Sequence, residues 1–462
     1  MTTNPLAPPW LASPENVNTL PSQVWSRHAL RDATGRLELG GVIASDIVHE
    51  FGTPVYVVDQ ADVQSRARTI RESFDREFGR IGASATVYYA GKAFLCTEVA
   101  RWVAQAGLNI DVSSGGELAV VLAAGVDPAH LGMHGNNKSV AEIDRAVRVG
   151  IGAIVIDSIT EIGRVAEAAR RNGVTQPVRL RINSGVHAST HEYLATARED
   201  QKFGLPLSEA PSAVQLIRAE PTLEFLGLHS HIGSQIFDSE GFEEAATRLF
   251  ALHATLLKGG PVPELNLGGG FGIAYNAADH PPDIDEVAKR LADIVAANAA
   301  ELKIPIPRIA VEPGRVVVGP STTTLYSVGT VKDVSVDGDA VRKYVSVDGG
   351  MSDNIRPALY GANYSARLAN RSSDATPALV RVVGKHCESG DIVVYADYLP
   401  GDVRDGDILA VPATGAYGWA MSSNYNYVAR PPVVAVFAGK ARIIVRGETE
   451  ADLLSRDIGV NA

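Results

Sequence analysis

Eight short runs of β-branched and aromatic residues, most of them followed by a stretch with helical periodicity, constrain this chain more than any other feature. They fall at Val87–Ala90, Asn109–Val112, His130–Met133, Ala153–Ile156, Val178–Ile182, Leu226–His229, Glu264–Leu267 and Ile309–Val311. Between them, segments such as EVARWVAQAG (98–107) and EIGRVAEAARRNG (161–173) place apolar residues at the spacing of an amphipathic helix. The first five runs lie about 20–25 residues apart, the spacing of successive parallel strand–helix units. Eight such units predict an α/β (β/α)8 TIM-like barrel. A doubly wound sheet is the competing arrangement, but such sheets more often carry fewer strands.

From about Ser321 the pattern changes. LYSVGTVKDV, KYVSVDGG, ALVRVVGK, IVVYAD, DILAVPA and VVAVFAGKARIIVR alternate as strands, with turns at Asp337-Gly338 and Asp348-Gly349 and few helical stretches. The division expected is therefore a barrel over 50–320 and a C-terminal all-β domain, a β-sandwich or β-barrel, over 321–462. Residues 21–49 form an N-terminal segment expected to pack with the β domain. The first twenty residues, rich in Pro and Asn, are expected to be loosely held.

Composition narrows the function classes. With 45% hydrophobic and 21% charged residues among 462, the chain resembles a soluble globular protein large enough to need no disulfide or metal staple. Its net charge of −11 argues against a sequence-independent grip on nucleic acid. Only two cysteines, Cys96 and Cys387, exclude a disulfide scaffold and suit a reducing cytoplasm. The N-terminus lacks a basic segment followed by an apolar one, and the longest apolar run, Leu118–Val126, is about half a membrane span. A cytoplasmic protein without a membrane partner is expected.

In a barrel of this kind, functional groups gather at the C-terminal ends of the strands. Lys92 follows the first run; it is either a rim lysine reaching outward or an amine that forms a Schiff base. His229 and His231 end the sixth run on one face, as a metal pair or as flat imidazoles against a planar ring. No third ligand has convincing spacing, so no metal is expected, and Ser234 could hold an anion. Gly268–Gly270 after the seventh run suit either a phosphate or a tight turn. Glu312, Gly314 and Arg315 follow the eighth, as a structural ion pair or as groups for a ring nitrogen and a carboxylate. A lysine, a phosphate cradle, a stacking ring and an acid on one rim fit pyridoxal 5′-phosphate.

These motifs resemble the diaminopimelate decarboxylases, members of the alanine-racemase-like class of pyridoxal-phosphate enzymes. The matching stretches run from about residue 50 to 445: VYYAGKAFLC, DVSSGGEL, RINSGVHASTHEY, DQKFGL, HSHIGSQI, NLGGGFGI, EPGR, DGGMSDNIRPALYGA, HCESGD and ATGAYGWAMSSNYN. The resemblance implies that Lys92 is the Schiff-base lysine, that His231 stacks on the cofactor, and that Ser234 and Gly270 contact its phosphate. Glu312 faces the pyridine nitrogen, with Gly314 and Arg315 beside it. Arg315, Arg356 and Tyr360 hold the substrate's distal carboxylate, Glu388 receives its distal ammonium, and Tyr417 stands near both cofactor and substrate. Cys387 protonates the reacting carbon, and with Glu388 it enters from the neighbouring subunit of an obligate homodimer.

The implied reaction takes CO2 from the D-configured centre of meso-2,6-diaminopimelate to give L-lysine, the last step of lysine biosynthesis. Alternatives are a decarboxylase of D-lysine, ornithine or arginine, and a non-catalytic regulatory homologue. Glu388 after Cys387 favours diaminopimelate, because polyamine-making relatives tend to carry aspartate there. Small departures are Gly91 where alanine is expected, Ala197 after Thr196, and Gly418-Trp419 after Tyr417. Roles among Asp111, Ser113, Ser114, Glu117 and Arg181 stay open: Arg181 could bond the cofactor or make a rim salt bridge. His229 reads as a satisfied strand histidine.

Overall fold

A computed structural model describes residues 4–186, 202–231, 233–237, 240–336 and 340–461. The turn at Asp337-Gly338, the Thr196-Ala197 departure, Ile232 and the stretch from His187 to Gln201 lie outside the described residues. Two compact units divide the chain. One comprises 64–272 and 281–316; the other comprises 1–63, 273–280 and 317–462.

In the first unit, eight strands close a parallel barrel: Ala85–Ala90, Asn109–Val112, Leu131–Met133, Ala153–Ile156, Gln176–Asn183, Leu223–His229, Glu264–Asn266 and Arg308–Val311. Each pairs in parallel with the next, and the eighth returns to the first through Ile309 opposite Ala85 and Val311 opposite Val87. A strand in a closed barrel is covered on both faces, so continuous apolar runs form it better than alternating ones. Ala153–Ile156 is buried at all four positions.

Helices separate the strands, among them Thr97–Gln105, Val140–Arg148 and Ile159–Asn172. Their ends are chemically marked. Ser139 and Glu142 form a reciprocal capping box at the start of Val140–Arg148. Gly173, left-handed at φ 67°, ends Ile159–Asn172.

The interior also holds charge. Arg179 on the fifth strand pairs with Glu264 on the seventh and donates to the Tyr88 hydroxyl on the first, 2.9 Å away. All three side chains are buried.

The second unit is a mixed, mostly antiparallel sheet. Its spine, Thr322–Val336, pairs with Ala340–Val347, with Ile408–Pro412 and with Val55–Asp59. The last of these also runs parallel to Val433–Phe437. Val55–Asp59 falls within the stretch expected to form the barrel, yet it is buried at all five positions inside this sheet. Residues 4–20 are likewise anchored here rather than loose. Val17 is buried against Leu379, Ala396 and Tyr398, with Leu6, Ala7 and Leu11 packed on the same cluster. Arg342 donates to the Leu6 carbonyl at 2.9 Å.

One glycine shapes the sixth barrel strand. The register with the fifth strand shifts between Phe225 and Gly227, a bulge that re-aims the residues after it, including His229. Gly227 has φ 151°, and a Cβ there would sit 1.8 Å from the Glu264 carbonyl oxygen. Gly227→Ala therefore combines backbone strain with overlap against a neighbouring strand and should cost about 3 kcal/mol. The check is the urea midpoint at unchanged m-value; an unaltered midpoint contradicts the close approach.

Candidate active site

The barrel strands deliver their last residues to one cavity of about 460 Å³. Lys92, in the short turn Gly91–Ala93 after the first strand, lines it together with Asp111, His134, Arg181, His229, His231, Gly233 and Glu312. The turn bearing Lys92 is stitched to the loop bearing Glu312, because the Ala90 amide donates to the Pro313 carbonyl at 3.1 Å. Gly314 permits that approach: a Cβ on it would lie 2.9 Å from the Ala90 Cβ. Gly91 has a similar reason, since a Cβ there would meet the Asp111 carbonyl at 2.7 Å.

Glu312 is the electrostatic centre. Its Oε1 accepts from Asn266 Nδ2 at 2.7 Å and stands 3.0 Å from His229 Nε2 and 3.6 Å from His134 Nε2. All of these contacts fall on one oxygen. Burial opposes the charge, but the two histidines and the hydrogen bonds outweigh it and hold the carboxyl well below its usual range. Burial in turn pushes His134 and His229 down to about 4.

His231 is also kept neutral, first by burial and then by the charge of Lys92. Its Nδ1 accepts the Gly269 amide at 3.2 Å, which puts the ring's proton on Nε2. The glycine loop behind it is packed backbone to backbone. A Cβ on Gly270 would come within 2.5 Å of the Gly233 carbonyl, and one on Gly269 within 2.0 Å of the Glu312 carbonyl. Arg315 Nη2 donates to Ser234 Oγ at 2.8 Å, so the arginine of the eighth strand's loop meets the serine of the sixth's.

The residues left open separate into two groups. Asp111, Ser113 and Arg181 line the cavity. Ser114 and Glu117 instead serve the helix Gly115–Ala123: Ser114 Oγ caps the Glu117 amide, and the Glu117 carboxylate accepts from the Ser113 amide at 2.5 Å. Arg181 stands 3.8 Å from Asp157 and lies over the Phe203 ring at 4.3 Å.

His134 and Asn266 were not singled out by the sequence. His134 follows a strand of only three residues, and its partners become visible only once the barrel closes. Among the described residues, the side chains of metal-ligating type that converge are those of His134, His229 and Glu312, with ligand atoms within 4.8 Å of one another.

Arg356, Tyr360, Cys387, Glu388 and Tyr417, the other residues the sequence singles out, belong to the second unit. Arg356 is buried, with its guanidinium 4.6 Å from the Tyr275 ring centre and donating to the Tyr364 hydroxyl. Tyr360 is 58% exposed. Cys387 and Glu388 stand exposed on the loop 384–391. That loop is wound around Asp391, whose carboxylate accepts the His386 amide at 2.7 Å and the Met351 amide at 2.6 Å. Tyr417 adopts φ 63°, left-handed for a residue with a side chain.

Fold and pocket define the class. The family described as pyridoxal-dependent decarboxylase, pyridoxal binding domain, matches residues 60–319. The diaminopimelate decarboxylase of Mycobacterium tuberculosis is 50% identical over 447 residues, covering 95% of this chain and 98% of its own. That of Bacillus subtilis is 43% identical over 433 residues, covering 92% and 95%. Among solved structures, the diaminopimelate decarboxylase of M. jannaschii in co-complex with L-lysine aligns with a TM-score of 0.85 at 31% identity, over 94% of this chain and 98% of that one. A lysine/ornithine decarboxylase from Vibrio vulnificus, at 20% identity and TM-score 0.68, shares the fold. This chain belongs to the diaminopimelate decarboxylase family of pyridoxal-dependent enzymes.

The pocket fits that cofactor. Lys92 offers an amine, Glu312 a carboxylate whose Oε2 takes none of the three orienting contacts, His231 a neutral ring face, and Gly233, at φ 148°, bare backbone on the cavity wall.

Asp111 gives a pH test. Burial, and then the Glu312 charge, raise its carboxyl well above the usual value. Such a group binds its proton more tightly when folded. Its contribution to stability is complete below the ordinary carboxylate pKa, near about 4, and is lost as pH rises through the raised value. Asp111→Asn keeps the shape without the charge. It should raise the urea midpoint of the cofactor-free chain at pH 7, with the gain shrinking toward about pH 4. A difference independent of pH would mean that Asp111 is already ionised in the folded protein.

Proposed function

We propose that this chain removes the α-carboxylate from the D-configured centre of meso-2,6-diaminopimelate, giving L-lysine and CO2 in the last step of lysine biosynthesis. The observation that carries the reading is one cavity holding Lys92, Glu312 and His231, in a chain half identical to diaminopimelate decarboxylases. Those relatives support diaminopimelate over D-lysine, ornithine or arginine, and over a non-catalytic homologue. Two free thiols suit a cytoplasmic setting.

Pyridoxal phosphate, when bound, supplies an electron sink for the pair left by the departing carboxylate. The chain's own residues do the rest. Lys92 would hold the cofactor through its Nζ and would give it up to the substrate amine. Glu312 keeps negative charge where the pyridine nitrogen must stay protonated. His231 would pack against the cofactor's ring, while Ser234, Gly270, Gly314 and Arg315 would hold the phosphate end and its surroundings. Cys387 gives its thiol proton to the α-carbon, replacing the carboxylate lost as CO2.

Selection acts at the far end of the substrate. Arg315, Arg356 and Tyr360 receive the distal carboxylate and Glu388 the distal ammonium, with Tyr417 between substrate and cofactor. A simpler amino acid leaves these charges unmatched, which costs several kcal/mol by the order of magnitude for a broken buried pair. Cys387 and Glu388 act in a second copy's site, making the working form a homodimer; their exposure on the Asp391 loop supports this.

Released CO2 should be fastest with meso-diaminopimelate among diaminopimelate, D- and L-lysine, ornithine and arginine; faster turnover of any other substrate overturns the assignment. Lys92→Ala should lose the visible band that borohydride reduction discharges in the wild type. Cys387→Ala should slow product formation by about a hundredfold or more, the usual worth of a positioned acid. Mixing inactive Lys92→Ala and Cys387→Ala chains should restore about a quarter of wild-type activity, since half the dimers then carry one intact shared site. No recovery on mixing means that each site is built within one chain.

A further inference from the structure

The contacts on Glu312 have a consequence beyond decarboxylation. His134, His229 and Glu312 all line the cavity, and each offers a ligand atom within 4.8 Å of the others. The two distances to the carboxylate, 3.0 and 3.6 Å, bracket the separation of about 3.3 Å between ligand atoms around a tetrahedral ion bound at 2.0–2.1 Å. Asp111 Oδ1, 3.1 Å from His134 Nε2, stands where a fourth ligand could join. Gly132 leaves room for that carboxyl, since a Cβ there would lie 2.3 Å from Asp111 Oδ1.

We propose that the cofactor-free chain carries a divalent transition-metal site made by His134, His229 and Glu312, and that metal and pyridoxal phosphate exclude one another. Two imidazoles and a carboxylate suit zinc, cobalt and nickel. Asn266, donating to Glu312 Oε1, is the outer-shell group that aims the acid. Exclusion follows because a cation on Oε1 takes up the negative charge that Glu312 would offer a protonated pyridine nitrogen. The metal therefore acts as an antagonist of cofactor loading, and the inference rests on the cofactor reading of Glu312.

The probe is Co2+ titrated into the full-length chain after removal of the cofactor. One equivalent should produce a saturable visible ligand-field band, and added pyridoxal phosphate should discharge it. At Co2+ ten times its own Kd, the cofactor concentration for half-loading should rise about elevenfold. The holoenzyme should show no such band. His134→Asn should weaken Co2+ binding by at least about tenfold, the lower range for disturbing even a metal's outer shell. Cofactor loading of that variant should become insensitive to metal.

Absence of a saturable band in the unsubstituted chain, a band that survives cofactor loading, or equal Co2+ affinity in folded His134→Asn each overturns the proposal. Competition on the unsubstituted chain decides alone if the variant does not fold. Turnover of diaminopimelate by the holoenzyme in metal-free buffer is read separately, so failure here is distinguishable from failure of the decarboxylase assignment.

Discussion

A carboxylate kept charged in a dry pocket is the constraint on which the barrel's rim depends. Taking an ion such as Glu312 out of water is expensive unless neighbours replace its hydration. Here the amide of Asn266 and the ring of His229 take that place on one oxygen. Each neighbour imposes its own condition on the chain. Asn266 must end the seventh strand, His229 must be aimed by the bulge at Gly227, and the Glu312 amide must reach the Gly268 carbonyl at 2.8 Å. Gly269 lacks a side chain because the Glu312 carbonyl occupies that space.

Chemistry and selection draw on different kinds of scaffold. The groups suited to the cofactor end the strands of a closed barrel, where backbone pairing on both sides fixes their positions. Apart from Arg315, the residues proposed for the substrate's far end sit in the mixed-sheet unit, on a tyrosine-lined arginine and on an exposed loop organised by Asp391. A rigid barrel rim favours precise placement of reacting atoms, whereas loops can vary the substrate without disturbing it.

Much of this was legible in the sequence, for a physical reason. Barrel strands are covered on both faces, so their β-branched runs stand out, and Asn109–Val112 and Ala153–Ile156 match the observed bounds. Pattern reports that a segment is extended but not which strand it joins. Val55–Asp59 therefore reads as a strand next to the barrel while its hydrogen bonds go to Thr322–Val336 and Val433–Phe437. Residues 4–20 read as loose because prolines interrupt their pattern, yet Val17 needs only a local cluster to be buried. His134, Arg179 and Asn266 carry no local signal at all. Each acquires its partner only when strands distant in sequence come together, as Arg179 does across 85 residues to Glu264.

Backbone strain marks the same loops. Gln235 and Tyr417 both adopt φ 63°, a conformation that side chains other than glycine occupy at a cost of about 1–3 kcal/mol. Such strain persists only where the surroundings overdetermine the backbone, and around Tyr417 they do. A Cβ at Gly415 would lie 1.9 Å from the Val318 carbonyl, and one at Gly418 would lie 2.5 Å from the Thr414 carbonyl and 2.8 Å from the Tyr56 hydroxyl. Gly418, a departure when judged against relatives, is thus demanded by packing within this chain. The backbone that carries Tyr417 is thus held between close neighbours on both sides.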